Sequence, residues 1–361
     1  VQRALERLGH SWDGVPVHSP LEPPSIVYGQ KSPQEAVADD SPPLSPSGKT
    51  YIQQVCGTFL YYARALDSTM LCAVSRLGSQ QANPTEKTRA DADRLLNYAA
   101  TWPDVKLTFF ASDMILRGHS DASYLCESKA RSRAGGILFM TSKDGTLVNG
   151  ALLAISVIIA TVVSSVSESE YAASFLVGQE IVPLRRTLEF LGHPQPSTVL
   201  ITDNLVSKKL ANQECKQKRS KAIDMRYHWV RDRVSLGDLS IQWRPGTDNL
   251  ADYFTKSHSI AHHRAQRYSY IQPPTSTPVP LYQHVSQSEE GVLESSLPVT
   301  DKPCDTRSCA TLQDTPTASI KLATLSGDFG ELNSYQAEPN RKNKHQKALN
   351  YAQVVSYNTT Q

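Results

Sequence analysis

The hydrophobic positions in the first third of the chain recur at intervals of three and four, the period of an amphipathic helix. The stretch YIQQVCGTFLYYARAL places Ile52, Val55 and Phe59 on one face, and STMLCAVSRLGS continues with the same period. A third stretch, NPTEKTRADADRLLNYAATW, opens with Asn83 and Pro84, a capping residue and a proline suited to a first helical turn. We therefore predict a segment of three helices over residues 48–104.

After Trp102 the pattern shortens to apolar runs bounded by turn residues, which predict strands. The predicted strands are VKLTFFAS, MILRGHSDASY, AGGILFMTS, TLVNGALLAIS, STVLITDN and LSIQWRPG. A long helical pattern, SESEYAASFLVGQEIVPLRRTLEFLG, follows the fourth run, and Pro183 inside it predicts a kink or two abutting helices. Strands in a meander, followed by alternating helices and strands, predict an α/β fold with a mixed sheet flanked by helices over residues 105–270.

The two ends of the chain differ from this middle part in composition. Residues 1–47 include SPLEPPS and SPPLSPSG, which predict a proline-rich arm or linker. Residues 271–361 are dominated by Pro, Ser, Thr and Gln and contain few aromatic residues, which predicts a low-complexity, disordered tail. The hydrophobic content of 39% is low for a fully globular chain of 361 residues and agrees with an unfolded part.

One uncharged stretch, LVNGALLAISVIIATVVSSV, has the length of a membrane span. Asn149, Gly150 and several serines dilute it, and its β-branched residues favour a buried strand with its connection to the next helix. We therefore expect no membrane partner. The cysteines are scattered without a C-x-x-C pair, and no secretory pattern opens the chain, so we expect a reducing compartment and no secretion.

Four carboxylates occupy positions at which the predicted elements place ligands. Asp121 lies within a strand and Glu170 lies near the start of the long helix. Asp203 ends the strand STVLITD, and Asp252 lies in the short helix DNLADYF. Ligands of open α/β sheets gather beyond the carboxyl ends of parallel strands, where the following helices begin. Elements in this order can bring the four side chains to one cleft.

Four carboxylates in one cleft cannot all stay ionised without a positive counter-charge. Either their pKa values rise or they hold divalent metal, and an all-oxygen ligand set suits Mg²⁺ or Mn²⁺. Two such ions about 3.5–4 Å apart can activate water and stabilise the leaving oxygen of a phosphodiester. The set therefore points to metal-dependent cleavage of a nucleic-acid strand. Each residue taken alone also fits a turn, a helix cap, a first-turn position or a solvated face.

The net charge of +2 is too small to indicate a nucleic-acid partner, but the basic residues are unevenly placed. Residues 204–234 hold nine Lys and Arg against three Asp and Glu. The candidate nucleic-acid-binding residues are Lys208, Lys209, Lys218, Arg219, Lys221 and Arg226. Such a surface fits a phosphate backbone, with binding that weakens as salt rises, and a solvated helix face is the alternative.

Five motifs follow one another along the chain: HSDASY, SSVSESEYAA, ITDN, RSKAIDMRYHWVRDRV and RPGTDNLADYFTK. In that order they resemble the RNase H domain of copia-type LTR retrotransposon polyproteins. The helical stretch upstream resembles the connection between reverse transcriptase and RNase H in the same polyproteins, and together they cover about residues 48–268. The resemblance implies an RNase H-like fold with a mixed five-stranded sheet, a helical connection segment ahead of it, and a remnant of the reverse transcriptase end in residues 1–47.

The resemblance also implies a function and a site. The family's four acidic positions, which act as catalytic residues and metal ligands, fall on Asp121, Glu170, Asp203 and Asp252, with Glu168 as the rival for the second position. Two Mg²⁺ ions, with Mn²⁺ as a substitute, would support hydrolysis of the RNA strand of an RNA–DNA hybrid. The polymerase part of the same element is the implied partner, and a cytoplasmic virus-like particle or the nucleus is the implied location.

Two departures from the family leave other functions open. No Tyr-x-Asp-Asp polymerase motif occurs in the chain. Cellular and retroviral RNases H resemble one another in a histidine between the last strand and the last helix, which RPGTDNLADYF lacks; His119 is a candidate substitute. An inactive remnant that only binds nucleic acid is the main alternative. A transposase or integrase is disfavoured, because those proteins resemble an Asp, Asp, Glu order and the order here is Asp, Glu, Asp, Asp.

Overall fold

The computed structural model describes residues 1–22, 39–214 and 228–271, together with the backbone pairing of residues 279–280. All of these residues belong to one compact unit, Val1–Val292. From residue 272 onward, and apart from that pairing, the predicted tail lies outside the described residues.

The predicted helical segment forms three α-helices in the structure. A short helix, α1 (Gln2–Arg7), precedes α2 (Pro46–Ala65), α3 (Leu71–Gln80) and α4 (Glu86–Thr101). The N-cap of α4 is Thr85 and not Asn83. Thr85 and Thr88 form a capping box, in which the N–H of Thr88 donates to Thr85 Oγ1 and the N–H of Thr85 donates to Thr88 Oγ1.

The remaining elements build a sheet with helices around it. The strands are β1 (Ile115–Glu127), β2 (Arg131–Thr141), β3 (Leu147–Val148), β4 (Ala151–Ile158), β5 (Thr198–Thr202), β6 (Leu239–Trp243) and β7 (Val279–Pro280). The helices are α5 (Val166–Phe190), α6 (Leu205–Ala211), α7 (His228–Ser235) and α8 (Ile260–Ile271), and the short 3-10 helices are Ser68–Met70, Gly246–Asp248 and Leu250–Phe254.

Five strands form one mixed sheet in the order β4-β2-β1-β5-β6. The strands β4, β2 and β1 are antiparallel neighbours, whereas β5 runs parallel to both β1 and β6. The remaining two strands, β3 and β7, pair separately. This mixed five-stranded sheet flanked by helices confirms the predicted RNase H-like fold class.

Alternate residues of β2 point into two hydrophobic clusters, one on each face of the sheet. Ile137 and Phe139 lie in a cluster with residues of α2, α3 and α4, whereas Leu138 and Met140 lie in a cluster with residues of α5. Because successive side chains of a strand point to opposite faces, the helical segment covers one face and α5 covers the other. The predicted boundary at residues 104 and 105 therefore runs through a shared core.

Residues 1–22, the first of the two described parts of the predicted N-terminal arm, pack against α4. Leu5 is buried in the same cluster as α4, and Val17 N–H donates to Thr101 Oγ1 at 2.9 Å. His10 Nε2 and Asn97 Oδ1 lie 2.7 Å apart. Apolar side chains spaced along this segment account for its packing, despite the prolines that follow.

The predicted first strand, VKLTFFAS, is wrong. Residues 103–114 form no strand in the structure. Instead the side chain of Asn149 takes the place of a strand partner, accepting the N–H of Phe110 at 2.8 Å and donating to its carbonyl oxygen at 2.7 Å. The strand prediction assumed that the apolar residues of this stretch are buried, whereas Phe109 is 48% exposed.

The long helix α5 continues through Pro183 as a single helix of 25 residues, not as two abutting helices. Its buried face explains the tolerance of proline, since Val177, Ile181 and Leu188 all lie in the core cluster against the sheet. Among the described helices, none is both long and apolar enough to cross a bilayer. The uncharged stretch that raised this alternative forms β3, β4 and the connection to α5.

We expect Gly136→Ala to destabilise the protein by about 1–3 kcal/mol, because an added Cβ would overlap Val177 Cγ2 on α5. Val177 is fully buried and β-branched, so it has little freedom to move away. Urea unfolding followed by circular dichroism measures the loss.

The matched control is Gly57→Ala in α2. Gly57 is exposed and nothing lies within 4 Å of an added Cβ. Alanine is the better helix former, so this change should leave stability unaltered or raise it by about 0.5–1 kcal/mol. Equal effects of the two substitutions would contradict tight packing of α5 on β2.

Candidate active site

Two of the predicted site residues extend from neighbouring parallel strands. His119 on β1 pairs with Ile201 on β5. Asp121 and Asp203 each lie two residues further along in the same direction. Residues two apart on a strand share a face, so equal offsets from a paired position bring these two carboxylates together.

The third carboxylate comes from the second turn of α5. Oxygen atoms of Asp121, Glu170 and Asp203 all lie within 4.8 Å of one another. Glu170 is 5% exposed, and its Oε2 has no hydrogen-bond partner among the described residues. Buried polar atoms are nearly always bonded, so an unpartnered carboxylate oxygen in such a group is what a cation-binding site would present.

Glu168, the rival for the second position, has a different partner. Its Oε2 accepts bonds from the N–H and the Oγ of Ser164, both at 2.6 Å. Glu168 thus closes the turn ahead of α5, while Ser165 caps the helix by accepting the N–H of Glu168. The structure brings Glu170, and not Glu168, into the group with Asp121 and Asp203.

The fourth predicted residue, Asp252, lies beside this group and not within it. It is carried by the 3-10 helix Leu250–Phe254, and its charge is close enough to raise the pKa of Asp121. The ammonium of Lys256, four residues on, forms an ion pair with the Asp252 carboxylate. The site thus contains three clustered carboxylates and a fourth that is neutralised by a lysine.

Thr255 and Lys256 were missed from the sequence alone. Thr255 Oγ1 donates to Asp121 Oδ2 at 2.8 Å, which fixes the orientation of that carboxylate. The spacing of Lys256 from Asp252 is the signal that was available, because side chains four residues apart on a helix are neighbours.

Several contacts hold the 3-10 helix against the sheet. Asn249 Nδ2 donates to Ser120 O at 2.9 Å, and Ser156 Oγ donates to Phe254 O at 2.7 Å. Gly135, the partner of Asp121 on β2, permits the approach: an added Cβ there would lie 2.7 Å from Ala251 O. The backbone that carries Asp252 is therefore fixed directly opposite the Asp121 strand.

His119 on β1 also holds the 3-10 helix Leu250–Phe254 against the sheet. Its ring is fully buried, and Nδ1 accepts the N–H of Leu250 at 3.2 Å. Burial, and then the charge of Arg117, lower the pKa of His119 to about 3. A buried neutral ring that accepts a backbone bond positions the 3-10 helix and does not fit proton transfer to a substrate.

Burial raises the pKa of each of the three clustered carboxyl groups. For Asp121 and Asp203 the charge of Asp252 is the next cause, and for Glu170 it is the charge of Asp121. The pKa of Lys256 is also raised, since the hydrogen bond and charge of Asp252 outweigh the lowering effect of burial. The cluster therefore resists full ionisation and favours any added positive charge.

Two of the six predicted nucleic-acid-binding residues are described. Lys208 and Lys209 lie on α6, which begins two residues after Asp203. Lys208 Nζ lies 2.6 Å from Glu214 Oε1, and Lys209 is exposed. The other four lie outside the described residues and are Lys218, Arg219, Lys221 and Arg226.

No protein-family model matches the chain. Over 150 residues the chain is 33% identical to the retrovirus-related Pol polyprotein from transposon TNT 1-94 of Nicotiana tabacum. The match covers 42% of this chain and 11% of the tobacco polyprotein, so the chain spans only a small part of the length of that relative.

Solved structures similar to parts of this chain include RNases H. LC11-RNase H1, isolated from compost by a metagenomic approach, is 14% identical, with 39% of this chain and 93% of that chain covered and a TM-score of 0.31. The same enzyme in complex with an RNA/DNA hybrid is 13% identical over 39% and 93% of the two chains, with a TM-score of 0.30. The protease–reverse transcriptase of prototype foamy virus is 13% identical over 55% and 29%, with a TM-score of 0.26.

We expect the metal-free protein to lose stability as the pH rises above about 4, the usual pKa of a carboxyl group in an unfolded chain. A carboxyl group whose pKa is raised by folding stays protonated in the folded state where the unfolded chain is already ionised. Its stabilising contribution is complete below the unfolded pKa and is lost as the pH rises through the folded one. Thermal melting in EDTA across the pH range measures this loss.

Asp121→Asn and Glu170→Gln should flatten this pH dependence and raise the melting temperature at alkaline pH, because each removes a carboxyl group that resists ionisation. Asp40→Asn, at an exposed carboxylate, serves as the control and should follow the wild type. An unchanged slope in both site variants would contradict the buried, repelling cluster.

Proposed function

We propose that this chain hydrolyses the RNA strand of RNA–DNA hybrids, with Asp121, Glu170, Asp203 and Asp252 as catalytic residues and metal ligands. The observation that carries the proposal is the convergence of three carboxylates, from β1, α5 and the end of β5, within 4.8 Å. The identity with a retrotransposon Pol polyprotein supports this class of activity.

The residues fit divalent metal. All the candidate ligand atoms are carboxylate oxygens, the set that suits Mg²⁺, with Mn²⁺ as a substitute. The unpartnered Oε2 of Glu170 offers a ligand atom that no described protein group uses. Two Mg²⁺ ions held there would supply an activated water and stabilise the leaving oxygen of the phosphodiester.

The protein's own residues orient the site carboxylates and offset part of their negative charge. Thr255 Oγ1 donates to one oxygen of Asp121 and so fixes the orientation of that carboxylate. Lys256 neutralises Asp252, so that the fourth carboxylate adds less repulsion to an already crowded site. Trp243 Nε1 donates to the carbonyl oxygen of Asp203 at 2.9 Å and fixes the backbone at the end of β5.

The substrate would be held by its backbone. Lys208 and Lys209 follow directly after the cluster on α6, and a protein that grips phosphates reads the shape of a hybrid and not its sequence. We further propose that the polymerase part of the same element acts with this chain, in a cytoplasmic virus-like particle or the nucleus, without a membrane partner.

We expect the purified chain to cut the RNA strand of a labelled hybrid in Mg²⁺ or Mn²⁺ and to stop in EDTA. Asp203→Asn should lower the rate by more than the roughly 10–100-fold that loss of an outer-shell partner costs, because it removes a ligand. Asp40→Asn is the matched control, because Asp40 is exposed and distant in sequence from the site residues, and this variant should cut at the wild-type rate. Gel analysis of both strands measures cleavage.

The outcomes separate the alternatives. Hybrid binding without cleavage by folded protein would identify an inactive remnant that retains only the nucleic-acid surface. Cutting that persists in EDTA or in Asp203→Asn would refute the metal-ligand assignment.

Lys209→Gln should weaken binding of all hybrid sequences alike and reduce the slope of log affinity against log salt by about 1, because each phosphate contact releases counterions. Lys143→Gln is the control, since Lys143 is also exposed but follows the far end of β2. Fluorescence anisotropy over a salt series gives both slopes, and identical slopes would remove Lys209 from the interface.

A further inference from the structure

A buried ion pair joins the helical segment to the last helix. Arg267 on α8 lies 2.8 Å from Asp67, which precedes α3. Their side chains are 4% and 1% exposed. Breaking such a pair by removing one partner leaves a buried charge uncompensated, so the contact fixes α8 on the helical segment.

The contact continues through three rings to the backbone that carries Asp252. Arg267 Nε donates to the hydroxyl oxygen of Tyr98 on α4 at 2.8 Å, and that hydroxyl lies 2.9 Å from His263 Nε2. His263 Nδ1 in turn bonds the hydroxyl of Tyr253, the neighbour of Asp252 on the 3-10 helix. This first path therefore runs from Asp67 to the residue next to Asp252.

His263 acts in this path as a neutral ring. Burial, and then the charge of Arg267, lower its pKa to about 3. In a neutral imidazole one nitrogen donates and the other accepts, so both tyrosine hydroxyls are satisfied in either tautomer.

A second path reaches Phe254, the residue that follows Tyr253 at the end of the same 3-10 helix. Arg133 on β2 is completely buried, and its Nη1 donates to Ser75 Oγ on α3 at 2.8 Å and to Ser156 Oγ on β4 at 3.0 Å. Ser156 Oγ donates to Phe254 O at 2.7 Å. The helical segment thus contacts the Asp252 helix through two chains of buried hydrogen bonds that share no residue.

We propose that the helical segment positions part of the nuclease site. Tyr253 and Ser156 link the segment to the 3-10 helix and are positioning residues that hold Asp252 at the metal cluster. The inference rests on the proposed function for its catalytic consequence. Its structural content, that the segment sets the position of the Asp252 helix, stands on the two hydrogen-bonded paths alone.

Two conservative variants test the paths and leave the Asp67–Arg267 ion pair and the Arg133–Ser75 bond in place, although Ser156→Ala also removes one acceptor of Arg133. Tyr253→Phe removes the hydroxyl bonded to His263, and Ser156→Ala removes the hydroxyl bonded to Phe254 O. Tyr51→Phe is the matched control, because its hydroxyl donates at 3.3 Å to Asp93 within the helical segment and touches no residue of the 3-10 helix.

Hydrogen exchange in the full chain is the first readout. The double variant, Tyr253→Phe with Ser156→Ala, should lose protection in the peptide covering Asn249–Lys256, several of whose N–H groups are hydrogen-bonded in the structure, while β5 keeps its protection. Tyr51→Phe should match the wild type in both regions. Unchanged protection of Asn249–Lys256 in the double variant would overturn the proposal.

The second readout is the Mg²⁺ dependence of hybrid cleavage. Each single variant should raise the Mg²⁺ concentration for half-maximal rate about 10-fold, as loss of an outer-shell partner does, with KM for the hybrid unchanged. Ser156→Thr, which keeps a hydroxyl, should restore the wild-type value. A lower rate at saturating Mg²⁺ with an unchanged Mg²⁺ concentration for half-maximal rate would contradict the positioning role of Tyr253 and Ser156. Absence of cleavage by the wild type would refute the proposed function, while hydrogen exchange would still decide the positioning.

Discussion

Repulsion among carboxylates in a dry site is the constraint on which the rest of this structure depends. Three carboxyl groups within 4.8 Å are held where burial removes the water that would screen them. Such a cluster destabilises the fold that contains it, so stability must come from other parts of the chain. The two hydrophobic clusters supply it, one on each face of the sheet, and the same sheet fixes the spacing of the carboxylates.

The helical segment and the sheet belong to one compact unit. A core shared between them, two buried arginines and a chain of tyrosine and histidine contacts all cross the boundary that the sequence pattern suggested. A site that costs free energy is best placed where many contacts oppose its relaxation. The segment upstream of the sheet can therefore be understood as support for the site and not as a spacer.

The order of the elements and the strand positions of Asp121 and Asp203 could be predicted because they depend on local hydrophobic periodicity. Periodicity alone does not separate Glu168 from Glu170, since both lie in the first turns of α5 and only tertiary packing distinguishes a capping carboxylate from a clustered one. The resemblance of the EYAA motif favoured Glu170, which is the residue that the structure places in the cluster. The contact between Asp67 and Arg267 spans 200 residues and leaves no local pattern. VKLTFFAS failed for the converse reason: a strand-like pattern found a side-chain partner in place of a strand.

Gly135 also bears on which substitutions would disable the site. An added Cβ there would meet Ala251 O and Thr255 Cγ2, both at 2.7 Å, so β2 or the helix that carries Asp252 would have to shift. A side chain at position 135 can therefore disturb the placement of Asp252 while every acidic residue stays in place. The integrity of the site cannot be judged from its carboxylates alone.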